Sequence, residues 1–232
     1  MKNKILALFL GWALTGCVED VLDRKPLNLI SDPDVWQSEQ LIDIYLVSLY
    51  DAIPMGFTSR LSQAALTDEA TYPDGAVVNN FGNVAHTLNT GMYAPIRNAN
   101  YFLEMIRTST LSQDKIQSLS AECRFIRAYY YFDLVKKYGG MPIIEQVQTF
   151  NNNLPDLQVK RNKEEEVYAF ILSELEEAIK ALPESQSGAN ANRATKYTAL
   201  ALKSRAMLYA GSIARYGNVQ LDGLVGIPAS QA

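Results

Sequence analysis

Most of what a catalytic protein needs is scarce in this sequence. Histidine occurs once, as His86 in a polar stretch where it reads as a surface residue. No serine or thiol stands beside a base at a recognisable catalytic spacing, and no phosphate-binding glycine loop is present. The two cysteines, Cys17 and Cys123, together with one histidine provide no Cys/His cluster for a metal and no disulfide framework. The adjacent acids Asp68 and Glu69 do not make a glycosidase pair, which needs two carboxylates held apart across a substrate. Basic residues are outnumbered, 21 Lys and Arg against 25 Asp and Glu, and they do not cluster. A nucleic-acid surface would want the opposite. Tryptophan appears only as Trp12 and Trp36, and a long apolar run appears only at the N-terminus.

That run reads as a secretory leader. Lys2 and Lys4 give a positive start, and residues 5–14 are apolar apart from Gly11. A segment this short falls below the ~20 residues that span a bilayer as a helix, so cleavage is the expectation. Leu14-Thr15-Gly16-Cys17 resembles a bacterial lipobox, in which the cysteine becomes the first mature residue and is acylated. The alternative is an ordinary leader with an incidental cysteine. Acyl chains would anchor the protein to a membrane at ~0.8 kcal/mol per buried CH₂. Val18-Glu19-Asp20 and Asp23 follow directly, an acidic stretch that resembles the tag directing some lipoproteins to the outer face of the outer membrane. A merely solvated tether reads the same way. Loss of Lys2 and Lys4 with the leader takes the formal charge from −4 to −6. With Cys17 lipidated, Cys123 has no disulfide partner and is expected to be a small buried hydrophobe.

Beyond the tether at 18–31, the pattern is helical with long interruptions. Asp32-Pro33 suits a helix start, and a first helix is expected over 32–53, with Leu41, Ile42, Tyr45, Leu49 and Ile53 on one face and Pro54 as its stop. Residues 54–90 show no sustained period and are rich in Thr, Asn, Gly and Pro. A stretch of that length without structure of its own tends to be functional. Helices are expected over 93–107 and 113–138, the latter ended by Gly139-Gly140. A short extended segment, Met141-Pro142-Ile143-Ile144, and a polar loop over 148–162 follow. Two further helices are expected over 164–182 and 195–216, the first opening on Glu164-Glu165-Glu166 at the positive end of its dipole. Arg127-Ala128-Tyr129-Tyr130-Tyr131 and Arg205-Ala206-Met207-Leu208-Tyr209 are related phrases 78 residues apart, about two tetratricopeptide units with insertions. Tyr129 to Phe132 make every face of one turn bulky, so that helix must be covered on more than one side. Arg124 and Arg127 are expected to bridge to Glu122 or Asp133, and Glu176 to Lys180 is read as a surface pair at helical spacing.

The run Ala121-Glu122-Cys123-Arg124-Phe125-Ile126-Arg127-Ala128-Tyr129-Tyr130-Tyr131-Phe132-Asp133-Leu134-Val135-Lys136-Lys137-Tyr138-Gly139-Gly140-Met141-Pro142 resembles the most recognisable segment of SusD/RagB proteins. Tyr93 to Asn100, Glu166 to Pro183 and Arg193 to Gly211 resemble other family helices in the expected order. The resemblance covers nearly the whole chain. It implies an all-α fold of tetratricopeptide-like hairpins with long irregular loops, arranged as leader 1–17, tether 18–31 and a helical-repeat domain 32–232. It also implies a fragment or truncated product, since family members are about twice this long. The implied role is non-catalytic: a lipoprotein of the cell outer membrane, facing outward, that captures oligosaccharides (or peptides) for a SusC-like TonB-dependent transporter, with no cofactor. A helical-repeat surface protein for protein binding or adhesion is the alternative.

A sugar site wants flat apolar faces for the C–H sides of the rings and amides or acids for the hydroxyls. Within 54–90 those are Tyr72 and Phe81 for stacking and Asn79 and Asn80 for hydrogen bonds, beside Asp68 and Glu69. Packing of Tyr72 and Phe81 onto the helices is the competing reading, and no tryptophan strengthens the first. The leader gives its own test. Mass spectrometry of protein made in a native-like host should show an acylated Cys17 at the N-terminus, and an intact leader or a bare cysteine would contradict this.

Overall fold

The computed structural model describes residues 32–53, 93–149 and 154–231. The chain divides into Met1–Val35 and Trp36–Ala232. Of the first unit the structure describes one short helix, α1 (Asp32–Val35). The second unit contains α2 (Glu39–Asp51), α3 (Ala94–Met105), α4 (Gln113–Tyr138), α5 (Glu164–Ala181) and α6 (Lys196–Tyr216). Among the described residues no strand forms beyond isolated bridges near Leu221 and Val225. No described helix is long and apolar enough to cross a membrane.

The expected single helix over 32–53 is corrected to two. Trp36 interrupts it and is almost wholly buried, with its ring 5.6 Å from Tyr45, 5.7 Å from Phe102 and 6.0 Å from Tyr101. An indole has a large apolar payload, and seating it in an aromatic cluster outweighs one unbroken turn of helix. The stripe that α2 buries is Ile42, Leu46 and Leu49, rather than one centred on Leu41 and Tyr45. The later helices fall where the sequence places them, within a residue or two at each end. In α3 the last turn tightens into a 3₁₀ segment, Ile106–Thr108.

Local chemistry accounts for the ends. Ser112 accepts from the Lys115 N–H at the start of α4, and Thr195 accepts from the Thr198 N–H at the start of α6. At α5 the Glu166 carboxylate reaches back to the Lys163 N–H at 2.8 Å. Gly139 closes α4 with φ of 69°, in the left-handed region where glycine is unstrained. A Cβ on Gly140 would lie 2.1 Å from the Asn162 carbonyl oxygen, so the crossing of the chain there admits no side chain.

α4 is the central element. It packs against α3 and α2 on one side and α5 on the other, and α5 packs in turn against α6. Its aromatic run follows that placement: Tyr130, Tyr131 and Phe132 are buried and Tyr129 is half-buried. Phe132 meets Tyr209 of α6 edge-on at 5.3 Å, and Tyr131 meets Phe170 of α5 edge-on at 4.9 Å. Cys123 is buried, as its sequence context implied, with its thiol directed at the Ala99 carbonyl. The two related phrases sit differently, however. Arg127 and Tyr131 are buried in α4, whereas Arg205 and Tyr209 are exposed on α6, which is covered on one side only.

Burial predicts a sharp contrast in stability. Phe132→Ala should cost about 3–5 kcal/mol by urea denaturation, whereas Leu208→Ala, at a site 71% exposed, should stay within about 0.5 kcal/mol. Equal effects would mean that α4 is not the core element.

Candidate functional site

The described residues form three polar assemblies on α4, and together they fix both flanks of residues 54–90. The first is built around Glu174 of α5, a carboxylate almost wholly buried. It accepts from Arg127 Nε at 2.7 Å and Nη2 at 2.6 Å, and from Arg124 Nη1. Arg127 also donates to Asn100 Oδ1 at 2.7 Å, and its guanidinium lies 5.5 Å from the centre of the Phe170 ring. Planar guanidinium groups suit this forked arrangement. Glu174 is thus the partner of Arg124 and Arg127, correcting the expectation of Glu122 or Asp133. Asp133 pairs instead with Lys136 and Lys137, one turn along α4.

The second assembly holds the segment 141–146, which is extended without pairing to any strand. Asn100 donates to the Ile144 carbonyl at 2.8 Å. The Tyr131 hydroxyl accepts from the Ile144 N–H at 2.8 Å, and burial pushes its pKa up to about 12. Asn162 accepts from the Ile143 N–H at 3.0 Å, and the Tyr93 hydroxyl donates to the Pro142 carbonyl at 2.9 Å. Side chains satisfy this backbone where a neighbouring strand otherwise would.

The third assembly is a clasp on Glu122. This buried carboxylate accepts from the Tyr50 hydroxyl at 2.9 Å and from Arg193 Nε at 2.7 Å, while Arg193 also reaches Asp43. The Tyr50 hydroxyl accepts in turn from the Ala194 N–H, and Tyr130 donates to the Leu49 carbonyl. Burial and the adjoining Glu122 charge raise the Tyr50 hydroxyl well above its usual range. Leu49 and Tyr50 stand just before residues 54–90, and Tyr93 just after them. Both flanks are therefore bonded to α4 or to the segment that α4 holds.

The proposed ligand contacts Tyr72, Asn79, Asn80 and Phe81 lie outside the described residues, as do His86, Asp68, Glu69 and the acylation candidate Cys17. Among the described residues no group of three or more His, Cys, Asp or Glu side chains could hold a metal ion. The expected Glu176–Lys180 pair is also corrected: Lys180 bonds Glu177 at 2.5 Å, and Glu176 bonds Lys203 of α6 at 2.9 Å.

Residues 20–208 match the SusD-like family described as starch-binding and associating with the outer membrane. The chain belongs to this family. Curated SusD-like relatives include protein P38 of Formosa agariphila, 25% identical in an alignment of 221 positions that covers 88% of this chain and 41% of that one. A SusD-like protein of Bacteroides ovatus is 24% identical in an alignment of 226 positions that covers 90% of this chain and 39% of that one. A solved SusD-like structure from Bacteroides fragilis is similar with a TM-score of 0.62 and 29% identity, over 82% of this chain and 38% of that one. A laminarin-binding SusD-like protein shares the fold, with a TM-score of 0.58 and 22% identity, over 76% of this chain and 41% of that one. The chain spans about two fifths of the length of the curated relatives it matches.

Family membership and the helical-repeat fold are thus as the sequence implied. Asn100, Glu174 and Arg193 were not singled out as interacting groups. Asn100 and Glu174 left a faint signal, being polar residues at spacings that otherwise bury Ile96, Leu103, Ile171 and Leu175. Arg193 heads the family-like run that leads into α6, but the sequence assigned it no partner. Glu174→Ala should cost about 3–5 kcal/mol, because two arginines lose their counter-charge in the interior. Replacing the buried pair together, as Arg127→Met with Glu174→Leu, should cost less than the single change. Additive losses in urea denaturation would show that the pair is not coupled.

Proposed function

We propose that this chain is the helical scaffold portion of a non-catalytic, lipid-anchored glycan-binding protein on the outer face of the outer membrane. In this reading it captures oligosaccharides for a TonB-dependent transporter, the SusC-like partner. The observation that supports it best is the fastening of both flanks of residues 54–90 to α4, in a chain of a family described as starch-binding. Binding residues commonly sit on irregular segments positioned by a rigid scaffold. Here Glu122, Arg127 and Tyr131 of α4 and Glu174 of α5 are committed to holding that scaffold, and this favours binding over catalysis. Tyr72 or Phe81 would stack on a sugar ring, with Asn79 and Asn80 bonding its hydroxyls.

Titration calorimetry with starch- and laminarin-derived oligosaccharides tests the site. Binding by this chain alone is expected to be weak, near a Kd of ~1 mM or ~4 kcal/mol. Tyr72→Ala and Phe81→Ala should each weaken it at least fivefold with unchanged thermal stability. Unchanged affinity in both would place the site elsewhere. Affinity capture from outer membranes separates the two partner readings: a co-purifying large β-barrel supports the transporter, and its absence in favour of a soluble or host protein supports adhesion.

A further inference from the structure

The chain that follows α6 turns back onto the end of α4. Asp222 and Gly223 have φ of 50° and 75°, the pair of left-handed residues that makes a tight reversal, and the Leu221 N–H closes it on the Val225 carbonyl at 2.9 Å. Three bonds fasten this turn where α4 ends and α5 begins. The Gly140 N–H donates to the Leu224 carbonyl at 2.6 Å, and the Glu164 N–H to the Gly223 carbonyl at 2.8 Å. The Gly226 N–H donates to the Glu164 carboxylate at 2.6 Å. The fit is close: a Cβ on Gly139 would lie 2.8 Å from the Leu224 carbonyl oxygen, and Gly226 and Ile227 are buried. Of the three bonds, only the last has a partner that can change its charge.

Glu164 is 4% exposed, so its carboxylate stands in a nearly dry site. Arg161, from the preceding loop, is the charged group that faces it, and Arg161 spends its donors on the Tyr138 and Gly140 carbonyls. The Tyr168 hydroxyl, buried one turn along α5, makes no hydrogen bond and does not solvate the charge. Tyr209 of α6 acts on Tyr168, α4 meets the carboxylate at Gly139, which has no side chain, and Asp222 of the turn is exposed. Burial therefore raises the Glu164 pKa above its usual range, against opposing pulls from the Gly226 N–H and Arg161. With the turn undocked, the same carboxylate would stand in water at the positive end of α5, where charge is favoured.

We propose that the turn over 221–226 is an acid-strengthened latch, docked most firmly when the Glu164 carboxyl carries its proton. A neutral carboxyl keeps a carbonyl oxygen for the Gly226 N–H and removes the buried charge, so docking and protonation favour one another. The docked form has the higher pKa. The added hold is therefore complete below the undocked value of about 4.3 and is lost as pH rises through the docked one. The latch bears on the scaffold because Gly140, one of its anchor points, leads directly into the 141–146 segment that α4 holds.

Hydrogen exchange by mass spectrometry on the full chain tests this, with each rate referred to the intrinsic rate at its own pH. Peptides covering 222–227 should be protected roughly threefold more at about pH 4.5 than at about pH 7.5, while the core of α4 changes less. Glu164→Gln keeps an acceptor for the Gly226 N–H and has no charge, so protection there should be high and equal at both. Glu164→Ala has no acceptor, and protection should be low at both. The comparison within the unsubstituted chain decides the sign whether or not either variant folds. Equal protection of 222–227 at the two pH values, greater protection at the higher one, or an equal change throughout α4 would overturn the latch. So would a pH dependence that survives in folded Glu164→Gln, or full protection in Glu164→Ala.

Discussion

One carboxylate organises the interior of this protein. Glu174 is brought by α5 into a nearly dry site against α4, and a charge there is tolerable only because Arg124 and Arg127 meet it with three donors between them. The consequences spread from Arg127. It also holds Asn100 of α3, and Asn100 holds the Ile144 carbonyl. A single chain of charge-assisted and neutral bonds thus links α5, α4, α3 and the extended segment that leaves α4. Hydrophobic contact alone would bring these elements together, but it would not fix the register of that segment. Buried polar networks specify one arrangement when every member is satisfied.

The same logic extends to the two ends of the chain that border residues 54–90. Residues on either side of 54–90 are tied down by hydroxyls of Tyr130 in α4, Tyr50 in α2 and Tyr93; the first is buried, the other two are half-buried, and each is bonded. The arrangement separates two tasks. Helices supply rigidity, and in the proposed reading residues 54–90 between them supply the ligand contacts. A family whose members share this scaffold at low identity fits that division, because what is shared is packing and what differs is the surface.

Much of this was legible beforehand. α4 was readable to the residue because its aromatic run demands burial on several sides and Gly139-Gly140 ends it. α5 was equally plain from its acidic start, and α6 was placed to within a residue. The break at Trp36 was not legible, since Asp32-Pro33 is a proper helix start and nothing local shows that the indole has a tertiary home beside Tyr101 and Phe102. Long-range polar pairing was the other blind spot. Sequence spacing offers Arg127 a neighbour at Asp133 or Glu122, but burial of Glu174 some 47 positions away decides the matter. The related phrases at Arg127 and Arg205 look equivalent, yet one lies in the core and the other on an open face, because α4 has helices on both sides and α6, among the described residues, on one.

Hydrogen exchange with a bound glycan bears most directly on the view that a fixed α4 scaffold presents 54–90 to ligand. In saturating starch- or laminarin-derived oligosaccharide, amides within 54–90 and at its flanks near Tyr50 and Tyr93 should exchange more slowly. Amides of α5 and α6 should be unchanged. Slowing confined to α6, or spread evenly over all helices with none in 54–90, would contradict the account.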